Sequence, residues 1–157
     1  MIMVDSKKRA PLHPSARDSA RLGLGEVDVI APGLIHARYS GKIRPEHLES
    51  LIAAGNQLIA SGYRALLVVD ADDVHAYESE CRKIMQVWIG DNRDHLEGVW
   101  VLFRSPLVKM ALSLINAVTG GVLRGFSDRE EFDAAVAAAT ARAHAGGLRA
   151  AEQTILQ

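Results

Sequence analysis

Ala65-Leu66-Leu67-Val68-Val69 is a continuous aliphatic run closed by Asp70. A strand of this composition has no polar face. It therefore needs cover on both sides, as an inner strand of a mostly parallel sheet has between layers of helix. Val99-Trp100-Val101-Leu102-Phe103 reads as a second buried strand. Two such runs separated by a helical pattern point to βα crossovers, which are right-handed when they join parallel strands of one sheet.

The intervening patterns fit. Val27–Ile30 and Leu34–Tyr39 flank Ala31-Pro32-Gly33, a proline-glycine turn signal, and predict an antiparallel β-hairpin. Pro45 suits a first helical turn, and Leu48, Leu51, Ile52, Leu58 and Ile59 share one face before Gly62. Cys81, Ile84, Met85, Trp88 and Ile89 repeat at i, i+3, i+4, i+7 and i+8, with Gly90 as the expected stop. Pro106 opens a third helix whose Leu107, Met110, Ala111, Leu114, Ile115 and Val118 form an apolar stripe, widened by Val108 and Leu112. Gly120-Gly121 ends it. Val122-Leu123 reads as a short strand, and Ser127 or Asp128 caps a fourth helix that packs through Phe132, Ala135, Val136 and Ala139. The order β-β-α-β-α-β-α-β-α predicts an α/β fold: a mixed sheet with an N-terminal hairpin and helices packed against it. Residues 1–25 read as a flexible lead-in, 26–145 as the domain, and 146–157 as a short helix or tail.

A chain of 157 residues with 48% hydrophobic residues is long enough to build a core without disulfides. Its single cysteine, Cys81, cannot pair within the chain and fits a reducing, cytoplasmic setting. Eighteen basic against nineteen acidic residues provide no broad positive field, so nucleic-acid binding is not expected. The most apolar stretch, Val99–Leu123, is interrupted by Arg104, Pro106, Lys109 and Gly120-Gly121, and no membrane span is expected.

Three stretches carry a family resemblance: Gly33-Leu34-Ile35-His36-Ala37-Arg38-Tyr39-Ser40-Gly41 with its helix, Ala65 to Asp70, and Val99 to Phe103 through Gly125-Phe126-Ser127-Asp128. Together they span most of Val27 to Ala143. The sequence resembles the STAS domain of anti-anti-sigma factors and, more closely, the SpoIIAA-like group of small STAS-related bacterial proteins. The resemblance implies that fold and a non-catalytic regulatory or protein-interaction role. In anti-anti-sigma domains the helix after the central strand begins with Asp-Ser-Ser/Thr-Gly, phosphorylated by a partner kinase. The corresponding place here reads Tyr77-Glu78-Ser79-Glu80, so Ser79 alone matches a phosphorylatable position. The aspartate, first serine and glycine are absent, and Glu78 and Glu80 would repel a phosphate. Ser79 equally suits an ordinary helix cap or first turn.

The segment after the central strand concentrates reactive side chains: Asp70, Asp72, Asp73, His75 and Tyr77 are expected on a loop where α/β sheets commonly bind ligands or partners. Asp70, Asp72 and His75 could hold a divalent cation, or a carboxylate could orient His75 as a base. The stretch lacks the glycine-centred spacing of a calcium loop, and a solvated connection with capping aspartates is the plainer alternative. No serine-hydrolase elbow, Walker lysine or dinucleotide fingerprint occurs, so no cofactor is implied and an enzyme is the least favoured class. The third helix is apolar over more of its circumference than one core contact needs. Leu107, Val108, Met110, Leu112 and Ile115 form a candidate face for a protein partner, a second copy of the chain, or an apolar ligand or lipid, unless the C-terminal segment covers it. Arg104 and Lys109 would stand at its rim.

Overall fold

The computed structural model describes residues 25–150. Within them a five-stranded sheet runs in chain order: β1 (Gly25–Ala31), β2 (Leu34–Ile43), β3 (Ala65–Tyr77), β4 (Leu96–Phe103) and β5 (Leu123–Phe126). β1 and β2 are antiparallel, and every later neighbour is parallel. The helices are α1 (Glu49–Ala60), α2 (Ser79–Asn92), α3 (Pro106–Thr119) and α4 (Arg129–His144). The predicted mixed sheet and its hairpin are both present. Among the described residues no helix is long and apolar enough to cross a membrane.

The layering follows from β3. Its Ala65, Leu67, Val69 and Ala71 enter one core, while Leu66 and Val68 enter another on the opposite face. Strands laid down in chain order by crossovers of one hand put every connecting helix on the same side. α1, α2 and α3 accordingly contribute Leu51, Leu58, Trp88, Ile89, Val108 and Ile115 to the first core. The second face is left to α4, which seals it with Phe132, Ala139 and Ala143. Asp128 caps α4 by accepting a bond from the Glu130 N–H at 3.0 Å, as the sequence led one to expect of Ser127 or Asp128. Phe132 meets Phe126 edge-on with ring centroids 5.4 Å apart.

Several boundaries differ from the sequence reading. Gly90 does not stop α2, which continues to Asn92 and then tightens into a 3-10 turn over Arg93–His95. The Asp70–Tyr77 stretch is not a loop. It continues β3 to Tyr77 and stays paired with the lengthened β2 through Ser40, Gly41, Lys42 and Ile43. Two register shifts accompany that extension, and Gly41 absorbs one of them at φ +78, a conformation side chains rarely adopt. Residues 146–150 form neither helix nor free tail. The Arg64 N–H donates to the Leu148 carbonyl (2.8 Å), and the Ala150 N–H donates to the Gly62 carbonyl (2.9 Å). Leu148 is thereby buried in the α4 core, away from the face of α3 for which the C-terminal segment was one candidate cover. The expected lead-in, except Gly25, and the end of the C-terminal segment lie outside the described residues.

Gly55 lets α1 approach α2, because a Cβ there would stand 2.7 Å from the Trp88 ring. Trp88 Nε1 donates to Asn56 Oδ1 at 2.9 Å across the same contact. On the other face, Phe132→Ala should cost about 3–5 kcal/mol in urea denaturation, since it empties the centre of the α4 core. Val118→Ala, on the exposed side of α3, should change stability by less than about 0.5 kcal/mol.

Candidate functional site

Midway along β3, level with the end of β4, Asp70 is only 4% exposed and lies on the α4 side of the sheet. Its carboxylate accepts bonds from Arg129 Nη1 (2.8 Å) and Nη2 (3.3 Å) and from the Asp72 N–H (3.2 Å). Arg38 Nε stands 3.8 Å away. Asp72 accepts a bond from Arg104 Nη2 at 2.8 Å and lies 3.7 Å from Arg129, which also approaches Asp133 at 3.6 Å. Three guanidinium groups thus face three carboxylates. Burial by itself would raise the Asp70 pKa. The Arg129 hydrogen bond, the Asp72 amide and the charges of Arg129 and Arg38 outweigh it and hold the carboxyl below its ordinary value.

The sequence placed Asp70, Asp72, Asp73, His75 and Tyr77 together, but the pleat separates them. Asp70 and Asp72 share the arginine cluster. Asp73 and His75 are exposed, and Tyr77 packs against the opposite core. Asp70, Asp72 and His75 do not form a ligand set, and among the described residues no three His, Cys, Asp or Glu side chains could hold a metal ion. Arg104 is engaged by Asp72 rather than standing beside Lys109 at the rim of α3. Arg38 and Arg129, which complete the cluster, carry no motif. Only the Asp128 cap hints that the next residue would begin α4 at the sheet's carboxyl edge. Ser79 is exposed at the first position of α2, after Glu78, whose carboxylate lies 3.7 Å from Arg44.

α3 divides differently from its predicted stripe. Val108, Ala111, Ile115 and Thr119 face the core, and Leu112 is partly buried beside β5. Val108 and Ile115 are therefore core residues and not part of any docking face. The exposed apolar set is Leu107, Met110, Leu114 and Val118, at 42, 58, 47 and 61% exposure. α3 turns into β5 through Gly120 in the left-handed conformation and through Asn116 Oδ1, which accepts a bond from the Leu123 N–H at 2.9 Å.

Beneath α2 and α3 lies an apolar cavity of about 130 Å³. Val69, Val101, Val108 and Ile115 contribute to its wall, which also includes Tyr39, Tyr77 and Cys81. Tyr39 Oη is fully buried with no hydrogen-bond partner among the described residues. The clue in the sequence was small: β2 turns Ile35, Ala37 and Tyr39 inward, and only the third of these carries a hydroxyl.

No family model and no curated protein matches this chain. Solved structures do match. An uncharacterized protein of the DUF3478 family with a SpoIIAA-like fold, from Shewanella loihica PV-4, superposes with a TM-score of 0.55 at 12% identity, covering 71% of this chain and 93% of the other. The anti-sigma factor antagonist SpoIIAA in its unphosphorylated form superposes with a TM-score of 0.50 at 13% identity, covering 71% and 97%. The chain has the SpoIIAA-like fold.

Asp70→Asn should cost about 2 kcal/mol at neutral pH, because the neutral amide cannot satisfy two arginines. Since the folded pKa is lowered, the stability contributed by the Asp70 carboxylate is present above its unfolded pKa of about 4 and is lost as pH falls towards the folded value. Urea titrations at pH 7, 4 and 3 should show the difference between wild type and Asp70→Asn shrinking on acidification.

Proposed function

We propose that this chain is a non-catalytic protein-interaction module of regulatory type that docks through the exposed face of α3. The observation that carries the reading is the row Leu107, Met110, Leu114 and Val118, four large apolar side chains left in solvent on one helix. Their spacing of three, four and four residues is that of a helix presenting anchors to a partner groove or helix. Lys109 is the only charged residue between Pro106 and Thr119, so the partner surface is expected to be apolar with an acidic group near Lys109. An anti-sigma factor antagonist, by its name, works on another protein factor, and one shares this fold. The fold alone does not carry that role across.

Ser79 offers a phosphorylation form of the same reading. Its exposure favours access by a kinase, while Glu78 and Glu80 disfavour the added charge. The cavity beneath Tyr39 favours a second reading, an apolar-ligand or lipid-binding domain, in which the core itself is the site. The metal or acid/base reading draws no comparable support, because Asp70 and Asp72 are occupied by arginines and His75 stands apart.

Leu114→Glu should leave the melting temperature within about 2 °C of wild type, since the side chain is half exposed. It should weaken partner capture at least about tenfold when wild type and variant, each carrying a photo-crosslinker at position 110, are compared in the cells that make the protein. Sedimentation would show whether the partner is a second copy. Unchanged capture and unchanged sedimentation would remove α3 as the docking surface.

A further inference from the structure

We infer that the space between the sheet and helices α2 and α3 is a site for a compact, hydrocarbon-like molecule that carries no hydrogen-bonding group. The inference rests on the apolar-ligand reading and narrows it to one class of ligand.

The wall sets the chemistry. Val69, Val101, Val108 and Ile115 present carbon to the space, and the surface offered to a guest is almost wholly apolar. Polar groups nearby are hidden from it or already engaged. Tyr39 Oη exposes essentially no surface. The Cys81 S–H donates to the Ile43 carbonyl at 3.5 Å, and Arg82 Nη1 donates to Gln86 Oε1 at 3.2 Å. Tyr77 belongs to the same apolar surround. A hydroxyl, carbonyl or carboxylate carried into this space gives up its water and gains no bond in return, so a guest that binds here is apolar throughout.

The volume sets the size. At about 130 Å³ the space is close to that of an engineered apolar cavity of about 150 Å³ that stays dry and admits benzene. A single ring or a branched chain of about six to eight carbons fills such a space, whereas a long acyl chain does not fit whole. Small residues keep it open: Ala71 of β3 and Ala111 of α3 stand in the wall where longer side chains would fill part of it. On the other face of the sheet Phe126 and Phe132 occupy the interior, so the gap belongs to one layer only. Met85 of α2 and Leu112 of α3 both line the space and are both partly exposed, which brings it to the surface between the two helices. Met85 is unbranched and rearranges readily, and this seam is the way in.

Toluene, phenol and dodecanoate test the class. Each is titrated into the full chain and followed by the methyl resonances of Met85 and Ile115. Toluene should shift both to saturation. Phenol, equal to toluene in heavy atoms, should bind at least about tenfold more weakly, because the wall offers its hydroxyl no partner. Dodecanoate should not saturate those shifts. Ala111→Val and Val101→Ile each add carbon inside the space and should each weaken toluene by about threefold or more; two variants are made so that one failing to fold leaves the other to decide. If phenol matches toluene, or if dodecanoate saturates the same shifts, the compact hydrocarbon class is wrong and the apolar-ligand reading stands. If none of the three moves the resonances, or if toluene binding is undiminished in the folded variants, the space is not a site and both fall.

Discussion

A strand whose side chains are apolar on both faces cannot border water on either, and β3 is such a strand from Ala65 to Val69. Everything else in the molecule answers that requirement. The parallel neighbours β2 and β4 satisfy its backbone, and the crossovers that make them parallel deliver α1, α2 and α3 to one face. Those crossovers leave the opposite face bare, so a helix from beyond the last strand has to return across it. α4 does so, with its first residue, Arg129, bonded to Asp70 where β3 turns polar. The ion pairs there join the middle of β2 and β3 and the residue just after β4 to α4. They fasten the second layer of helix to the sheet at the point where apolar packing gives out.

This architecture was legible because its signals are periodic. Runs with no polar face, stripes at helical spacing, Pro106 at a helix start and Asp128 at a cap each act within a few residues, and each matches the element found. The misreadings come from residues whose meaning is settled across the sheet. Asp72, Asp73 and His75 look like a loop because three polar residues hide the alternation around Val74, yet pairing with the end of β2 keeps them extended. Gly90 looks like a helix stop, but nothing lies within 4 Å of the place its Cβ would occupy, and α2 passes straight through it.

α3 illustrates a sharper limit. Its sequence is apolar nearly all round, so periodicity cannot say which side meets the sheet. The Asn116 bond to Leu123 and the turn at Gly120 fix the helix's rotation, and both depend on where β5 lies. Once that rotation is set, Val108 and Ile115 go inward while Leu114 and Val118 go outward. The arginines that face Asp70 and Asp72 were hidden for the same reason: Arg38, Arg104 and Arg129 are far apart along the chain and adjacent only in the fold.

The two faces of the sheet are packed to different standards. The α4 side is closed by interlocked aromatic rings, small alanines and Leu148. The side beneath α2 and α3 leaves space between helix and sheet unfilled. Unfolding releases such space to solvent, which makes the unfolded chain the smaller state by volume. Hydrostatic pressure therefore acts on this molecule asymmetrically. It should press first on the contact of α2 and α3 with the sheet, while α4 stays seated, so compression would take the two layers apart in an order that heating does not impose.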